Sequence, residues 1–272
     1  MEKELSIIVP HYNTPKMLDR LLSTIPNDPE IEVLVIDDTS DRELEEFKKC
    51  VDKYSKRNIS FYGNSLDQKG AGGARNLGIE HARGKWILFA DADDYFLDDF
   101  FQIIKRNYDD QFEIIFFTPV SIVNDTGYSS ERHIYYENLI MNYIENSDYI
   151  NELKLRYTYW SPCSKLIKKS LIDNYKIRFD NSRYSNDIMF SAKIGAYAYK
   201  IKACIQNIYC ITETQGSLTN IKDATALLIR KKVFKRYYFF LLKKLNWKDM
   251  KSLGYGVKDF IYFCAFHMGM VK

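Results

Sequence analysis

Cysteine and histidine are scarce in this sequence of 272 residues, which has five of the first and four of the second. The cysteines form no C-x-x-C pair, none has a histidine at zinc-binding spacing, and their number is odd. Reduced, partly buried thiols are therefore expected, rather than disulfides or a zinc site. The sequence also has no H-E-x-x-H motif and no G-x-S-x-G elbow, so nothing in it supports a serine or cysteine hydrolase.

Long apolar runs are missing as well. The longest one, residues 260–271, is interrupted by His267 and is too short to cross a bilayer core of ~30 Å. The N-terminal stretch, residues 1–9, lacks the basic start that opens a signal peptide. With 46% hydrophobic and 28% charged residues, the composition is that of a globular protein. We therefore expect a cytoplasmic protein with one large α/β domain, or with one domain and an appendage.

Three carboxylates follow a short apolar run within residues 85–94. The bulky residues of this run suit a strand that is buried on both faces of a parallel sheet. Asp91, Asp93 and Asp94 come after it, at the carboxyl end, where open α/β sheets bind ligands. In an extended chain Asp91 and Asp93 would point one way and Asp94 the other. Converging carboxylates favour Mg²⁺ or Mn²⁺, although a solvated acidic turn is the plain alternative.

Strands and helices alternate over the first 118 residues. This alternation predicts a parallel sheet with right-handed crossovers. The predicted strands are residues 5–9, 32–36, 58–62, the apolar run before Asp91, and 114–118. Beyond residue 118 the pattern is less regular, and we predict a hairpin at residues 124–127, helices at 138–144, 164–174 and 187–197, and a strand at 203–212.

A glycine-rich loop, residues 69–78, opens a helix after the third predicted strand. Such a loop lets the backbone approach a ligand, and a helix N-terminus attracts phosphate. Arg75 stands where the third glycine of a G-x-G-x-x-G motif should be, so the spacing does not favour a dinucleotide-dependent dehydrogenase. A loop that uses its glycines only for a tight turn is the plain alternative.

Four short stretches together resemble the inverting family 2 glycosyltransferases of the GT-A fold, in particular the bacterial members that build capsule, O-antigen and other surface polysaccharides. These stretches are residues 8–13 (IVPHYN), 35–40 (VIDDTS), 72–79 (GGARNLGI) and 91–94 (DADD). The resemblance implies an α/β fold: a GT-A nucleotide-binding sheet flanked by helices, with a mainly helical C-terminal extension. We accordingly divide the chain into a nucleotide-sugar half (1–118), an acceptor-binding and catalytic half of the same domain (119–220), and the extension (221–272).

The resemblance also implies roles for six residues of the first half. Pro10 and Tyr12 would lie over the nucleotide base, and Asp38 would hydrogen-bond the uracil or ribose. Arg75 would reach the nucleotide and its phosphates, and Asp91 would touch the ribose. Asp93 would ligate the Mn²⁺ or Mg²⁺ that bridges the two phosphates and neutralises the leaving diphosphate.

The second half matches the family more loosely. Residues 160–167 resemble its Trp-x-Lys-Leu segment, with Trp160 as a candidate stacking surface for an acceptor sugar or, equally, a core tryptophan. Asp187 takes the place of the family's catalytic base, while Asn186 replaces the preceding glutamate. One carboxylate near the acceptor hydroxyl suffices for an inverting transfer. A helix N-cap is the structural alternative for Asp187.

A second departure from the family lies at residues 213–217. Relatives often have an Arg or His before the Gly216-Ser217 pair, a cation suited to the diphosphate, where this sequence has Thr214 and Gln215. Either another cation, such as Lys69 or Lys165, takes this role, or the metal suffices.

The C-terminal stretch is basic. Residues 226–272 contain eleven Lys and Arg against two Asp, although the net charge of the whole chain is only +3. Residues 227–245 place apolar side chains at helical spacing, among them Phe234 and Tyr238, with seven Lys and Arg between them. Such a helix fits the inner face of an anionic membrane, where polyprenyl-linked acceptors lie, and it equally fits packing on the domain or on a second subunit of a homo-oligomer. No nucleic-acid-binding module surrounds it, so we expect no nucleic-acid partner.

These observations predict a metal-dependent inverting transferase that moves a hexose from a UDP-sugar to a hydroxyl of a glycan or lipid-linked glycan. One competitor is a nucleotidyltransferase, which usually has a glycine-rich basic loop after its first strand, where this chain has residues 11–14 (HYNT). The other is a non-catalytic nucleotide-sugar or glycan-binding subunit of the same fold. Asn186 and Gln215, which depart from the family's pattern, are compatible with this alternative.

Overall fold

A computed structural model of the protein describes residues 3–214, 221, 223–259 and 261–262. Its first half is an alternation of strands and helices around a parallel sheet. The elements, in chain order, are β1 (Leu5–His11), α1 (Pro15–Thr24), β2 (Ile31–Asp37), α2 (Leu44–Tyr54), β3 (Ile59–Gly63), α3 (Ala71–His81) and β4 (Trp86–Phe89). Strands β3, β2, β1 and β4 are neighbours in that order and all three pairings are parallel. The predicted parallel sheet is thereby confirmed.

The two central strands of this half are buried on both faces. Every residue of β4 is at most 1% exposed, and the aliphatic residues of β1, from Leu5 to Val9, are wholly buried. The β1–β4 register pairs Leu5 with Trp86 and Ile8 with Phe89, so both strands end at the same edge of the sheet. The apolar run before Asp91 is therefore a central strand, as its composition predicts.

The next part of the chain, residues 95–213, completes the sheet with strands of mixed direction. Its elements are β5 (Tyr95–Phe96), α4 (Phe100–Asn107), β6 (Ile114–Val123), α5 (Ile134–Glu145), α6 (Tyr149–Thr158), β7 (Lys165–Lys168), α7 (Lys169–Asn174), α8 (Asn186–Tyr197) and β8 (Ile201–Glu213). Over the described residues the sheet has eight strands in the order β3-β2-β1-β4-β7-β6-β8-β5. Strand β7 runs antiparallel to both β4 and β6, and β8 runs parallel to β6. Residues before and after position 118 thus share one sheet.

Local pattern was a poor guide around β7. The prediction of a helix over residues 164–174 is wrong for its first half, since Lys165–Lys168 is a strand and only Lys169–Asn174 is helical. The reason is tertiary: this short segment fills the gap between β4 and β6 and hydrogen-bonds both. The predicted hairpin is confirmed, because the amide of Val123 donates to the carbonyl of Tyr128 at 2.8 Å. Helix α6 has no counterpart among the predicted elements.

The basic C-terminal stretch begins with helix α9 (Ala224–Lys244), which α10 (Trp247–Ser252) follows. Asp223 caps α9 by accepting a hydrogen bond from the amide of Ala226. The buried face of α9, formed by Val233, Tyr237, Tyr238 and Leu241, packs against α6 and α8 in a second apolar cluster. Packing on the domain is therefore observed for this helix. Among the described residues, no helix combines the length and the apolarity that crossing a membrane requires.

Candidate functional site

The acid turn, as we call residues 91–94, is a turn and not a continuation of β4. The amide of Asp94 donates to the carbonyl of Asp91 at 3.0 Å, so the alternation expected for an extended chain is wrong here. The turn nevertheless separates the same side chains. Asp91 and Asp93 keep partial exposure, whereas Asp94 is only 5% exposed.

Asp94 anchors the turn to β8. Its carboxylate accepts hydrogen bonds from the hydroxyl of Tyr209 and from the amide of Thr212, each at 2.7 Å. The Tyr209 oxygen in turn accepts a hydrogen bond from the amide of Asp91 at 2.8 Å. Burial, and then the charges of Asp93 and Asp91, raise the pKa of Asp94 well above its usual value. We assigned Asp94 no role from the sequence, because the Tyr209 that holds it is more than a hundred residues away.

Asp93 lies in a crowded, negatively charged environment. Burial and the neighbouring charge of Asp91 raise its pKa to about 6, although Arg132 and Arg20 act in the opposite direction. Arg20 also donates to the backbone carbonyl of Asp93 and, at 2.9 Å, to the side chain of Asn124 on the hairpin. The sequence analysis missed both cations, since neither belongs to a motif.

The acid turn fits a divalent cation by its donor chemistry. Over the described ranges, no group of three acidic, histidine or cysteine side chains is already arranged around a metal position. Mg²⁺ and Mn²⁺ need fewer protein ligands than that, because in nucleotide sites one or two carboxylates and the phosphates hold them. Asp93, with Asp91 beside it, supplies such oxygens, and a cation there would relieve the repulsion that raises the pKa of Asp93.

Arg75 connects the two halves of the site. From α3 it donates to Asp91 at 2.5 Å and to the side-chain oxygen of Asn186 at 3.0 Å, and it lies over the ring of Phe179. Burial alone would lower the pKa of Arg75, but the charge and hydrogen bond of Asp91, together with neighbouring groups that include Asp187, outweigh it and the pKa lies above its ordinary value. A guanidinium only 7% exposed is thus fixed between the acid turn and the start of α8.

Asp187 lies in the first turn of α8, one residue after the Asn186 that Arg75 contacts. The N-cap position belongs to Ser185, so Asp187 is not the N-cap of this helix. Burial raises the pKa of Asp187; Arg75 and Lys165 oppose that shift, and Asp91 reinforces it. A carboxylate whose pKa is raised takes up a proton more readily than an ordinary one, which suits a general base.

Asp38 and Tyr12, two of the residues predicted to bind the nucleoside, contact the glycine loop. Asp38 accepts hydrogen bonds from the side chain of Asn64 at 2.8 Å and from the amide of Gly70 at 2.7 Å. Tyr12 is 41% exposed, with the ammonium of Lys69 over its ring, and Pro10 is partly exposed. A side chain at position 73 would collide with the carbonyl of Gln68, only 1.6 Å from an added Cβ. This supports the tight-turn interpretation for that glycine.

Trp160 packs against helix α9. Its indole nitrogen donates to the carbonyl of Tyr157 at 2.9 Å, and the rings of Phe234 and Tyr237 lie edge-on to it at 5.4 and 5.9 Å. The packing role of Trp160 is therefore observed. Trp160 also keeps partial exposure, and its stacking on an acceptor sugar stays a prediction.

The candidate diphosphate cations are now distinguished by their surroundings. Lys69 lies at Tyr12 and Lys165 is buried against Tyr159, whereas the charge of Arg132 acts on Asp93. Of the departure at residues 213–217, Thr214 is described, while Gln215, Gly216 and Ser217 lie outside the described residues.

Comparison with known proteins identifies the family. The sequence profile of glycosyl transferase family 2 matches residues 6–176. The chain belongs to this family. A relative is EpsJ of Bacillus subtilis, an uncharacterized glycosyltransferase, with 28% identity over 235 residues that make up 82% of this chain and 65% of EpsJ. Another is TarS of Staphylococcus aureus, a poly(ribitol-phosphate) beta-N-acetylglucosaminyltransferase, with 24% identity over 76% of this chain and 35% of TarS.

Solved structures show the fold of this family 2 chain. A crystal structure of TarS residues 1–349 in complex with UDP-GlcNAc matches 92% of this chain and 70% of its own, with a TM-score of 0.72 and 20% identity. A mannosyltransferase from Pyrobaculum calidifontis in complex with GDP-Man and Mn²⁺ matches 93% of this chain with a TM-score of 0.63 and 16% identity. At such identities the likeness concerns the fold, and it confirms the predicted GT-A fold with a helical C-terminal region.

The chain spans 65% of EpsJ and about a third of TarS, so these relatives contain parts that have no counterpart in it. The roles of Pro10, Tyr12, Asp38, Arg75, Asp91, Asp93, Trp160 and Asp187 remain predictions. The structure brings several of these residues together. Arg75 joins Asp91 to the α8 turn that carries Asp187. Asp38 accepts a hydrogen bond from the glycine loop.

Proposed function

We propose that this family 2 chain is a metal-dependent, inverting glycosyltransferase. It moves a hexose from a UDP-sugar to a hydroxyl of a glycan or polyprenyl-linked glycan in the synthesis of a surface polysaccharide. The observation that carries the proposal is the Arg75 bridge between Asp91 and Asn186, which brings a separate carboxylate, Asp187, into the same site as the acid turn.

In this mechanism Asp187 is the general base. The oxygen of the acceptor hydroxyl forms a bond to the anomeric carbon, the bond from that carbon to the diphosphate breaks, and the hydroxyl proton moves to Asp187. Attack from the face opposite the diphosphate inverts the anomeric centre. The raised pKa of Asp187 supports this role, because a base whose pKa approaches the working pH takes up a proton more effectively.

The acid turn and its cations would hold the donor. Asp93 would bind Mn²⁺ or Mg²⁺ with Asp91 beside it, and the bound ion would supply charge neutralisation for the departing diphosphate. Arg132 takes the place of the cation that relatives have before Gly216, since its charge already acts on Asp93. Arg75 keeps Asp91 in position, and Tyr12 and Asp38 face the base and ribose. The UDP-GlcNAc and UDP bound in TarS crystal structures of the same fold support a UDP-sugar donor.

Calorimetric titration of the protein with UDP, GDP, CMP and dTDP, with and without Mn²⁺, tests the donor site. We expect binding of UDP that requires Mn²⁺. Incubation with UDP-hexoses and a lipid-linked acceptor, followed by NMR of the product, tests transfer and inversion. Retention of the anomeric configuration would contradict the mechanism, and failure to bind any of the nucleotides would contradict the proposed function as a whole.

A non-catalytic binding subunit is the second candidate, because Asn186 replaces the family's glutamate and offers Arg75 an uncharged amide oxygen in place of a carboxylate. The Asp187→Asn variant distinguishes the two candidates. An enzyme keeps UDP binding and loses transfer, whereas a binding subunit shows no transfer to lose.

We also propose a cytoplasmic location at the inner face of the membrane, where polyprenyl-linked acceptors lie. The exposed side chains of Leu227, Leu228 and Lys232 near the start of α9 support a peripheral contact with anionic lipid. Co-sedimentation with vesicles of phosphatidylglycerol, compared with phosphatidylcholine vesicles, checks it. Equal recovery with both would contradict the contact.

A further inference from the structure

Lys165 is a lysine buried in the middle of the sheet, with 2% of its surface exposed. It begins β7 and pairs with Phe116 of β6. Its ammonium donates to the carbonyl of Tyr159 at 3.0 Å and to the hydroxyl of Ser191 at 3.2 Å, and it lies over the rings of Tyr159 and Phe116. Burying an ammonium among neutral groups costs free energy, so its presence beside a catalytic helix calls for an explanation.

The two hydrogen bonds of Lys165 join the acceptor side of the site to helix α8. Ser191 lies one helical turn after Asp187, and its hydroxyl donates to the carbonyl of Trp160 at 2.6 Å. The same hydroxyl accepts from Lys165, whose other acceptor is the residue before Trp160. A single ammonium thus fixes the segment of Tyr159 and Trp160 against the helix that carries Asp187.

The charge of Lys165 also acts on Asp187. Lys165 lowers the pKa of Asp187, and Asp187 raises that of Lys165, so each favours the charged form of the other. Burial pulls the pKa of Lys165 down to about 7, which places its ionisation near physiological pH. The coupling therefore operates in the pH range in which a transferase works.

The other titratable groups around this pair do not replace that coupling. Beside Lys165, burial raises the pKa values of the Tyr159 phenol and the Cys163 thiol well above their usual values, so both stay neutral. Tyr136, which faces Asp187 from α5, stays neutral because burial raises its pKa as well. Arg75 of α3 and Asp91 of the acid turn also act on Asp187, and they pair with each other. Lys165 is therefore the charge that responds to Asp187 from the acceptor side.

We propose that Lys165 is a positioning residue for sugar transfer, which fixes the segment of Tyr159 and Trp160 against α8 and keeps Asp187 ionised and ready to accept the acceptor proton. This proposal rests on the function proposed above. It assigns the lysine a role through Asp187 and not through contact with substrate. It also explains why the site contains an ammonium, where a methionine of similar length would be easier to bury.

The decisive experiment follows the ionisation of Asp187 without any assay of activity. In protein labelled with ¹³C at the carboxyl groups, the Asp187 signal is assigned with the Asp187→Asn variant and titrated in the wild type and in Lys165→Met. We expect the Asp187 titration to move up by about one pH unit in Lys165→Met, from the loss of one charge at this range. Lys168→Met makes the same chemical change three residues along β7, at the end of the strand that pairs with Trp86, and should leave the Asp187 titration unchanged.

Ser191→Ala separates the two parts of the proposed role, which are the positioning of the Tyr159–Trp160 segment and the effect of charge on Asp187. It removes the hydrogen bond to the carbonyl of Trp160 and keeps the ammonium of Lys165. Activity is followed as UDP released from whichever of UDP-glucose, UDP-galactose and UDP-GlcNAc the wild type turns over. In Lys165→Met the acid limb of kcat/KM should move to higher pH with the KM for donor unchanged. In Ser191→Ala the KM for acceptor should rise while the acid limb stays in place.

An unchanged Asp187 titration in folded Lys165→Met would overturn the proposal, and so would an unchanged pH profile. Thermal unfolding of each variant establishes that it is folded; a methionine in this apolar setting should be accommodated. If the wild type transfers no sugar, the proposed function fails, and the titration still decides whether Lys165 controls Asp187.

Discussion

The acid turn and the start of helix α8 both hold buried carboxyl groups with raised pKa values, but their surroundings differ. In the turn, burial raises the pKa values of Asp93 and Asp94, and the charge of Asp91 raises both further. Arg132 and Arg20 offset the shift of Asp93 only in part. Burial is the main reason why the pKa of Asp187 is raised, and Arg75 and Lys165 act against this shift. One region has an excess of negative charge, whereas the other is nearly balanced.

This difference indicates two kinds of chemistry. Carboxylates that repel each other are stabilised when a divalent cation binds between them. A single carboxylate near balancing cations gains little from a metal and can exchange a proton with a substrate. Arg75 links the two regions, since it contacts Asp91 on one side and the neighbour of Asp187 on the other.

The largest expected effect comes from removing the proton acceptor. Asp187→Asn should lower the rate of transfer by about 10²–10⁴-fold, the usual contribution of a general base. Binding of UDP with Mn²⁺, measured by calorimetry, should stay close to that of the wild type. A variant that transfers sugar at the wild-type rate would show that another group takes the proton.

Asp93→Asn should affect the acid turn and leave the region around Asp187 unchanged. We expect UDP binding in the presence of Mn²⁺ to weaken by about tenfold or more, since one of the few protein ligands of the metal is lost. Calorimetry with and without Mn²⁺ measures it, and Asp98→Asn, an exposed acid shortly after the turn, is the matched control. If Asp93→Asn still binds UDP in a Mn²⁺-dependent way, Asp93 is not a metal ligand.

Arg75→Gln should break the bridge between the two regions. It deletes the hydrogen bonds to Asp91 and Asn186, and we expect a loss of about 1–3 kcal/mol in the free energy of unfolding, discounted because Asp91 is 40% exposed. Denaturant unfolding measures the loss. Arg106→Gln, on the exposed side of α4, should change stability by less than about 0.5 kcal/mol, and an equally small effect at Arg75 would contradict the bridge.

Tyr209→Phe loosens the acid turn without changing its charge. The lost hydroxyl serves both Asp94 and the amide of Asp91, so a destabilisation of about 1–2 kcal/mol is expected. Thermal unfolding compares it with Tyr199→Phe, whose ring is 83% exposed and whose hydroxyl should contribute little. Equal melting temperatures for the two variants would mean that Tyr209 does not hold the turn.

The smallest expected effect is on the pH dependence of stability. Because the pKa of Asp187 is raised in the folded protein, its ionisation costs stability as the pH rises from the usual carboxyl pKa through the folded value, and above that value the full cost remains. Asp187→Asn should therefore melt at a higher temperature than the wild type at pH 7 and closer to it at pH 4. A difference that is larger at pH 4 would reverse the sign of the inferred shift.

Several features of the fold follow directly from sequence pattern. The strands up to β4 lie within a few residues of their predicted bounds, because each has its own hydrophobic period and its own turn residues. Around β7 the pattern failed, since a four-residue strand between two longer ones is defined by its partners and not by its own periodicity.

The family and the position of the acid turn at a strand end were decided by the sequence itself, because short motifs and local periodicity are properties of neighbouring residues. The ionic character of the site was decided only by the tertiary structure. Tyr209 on Asp94, Arg132 near Asp93, and Lys165 with Ser191 near Asp187 each bring together elements that are separate along the chain. Burial and charge act through space, so the pKa of a carboxyl group depends on neighbours that no local pattern reveals.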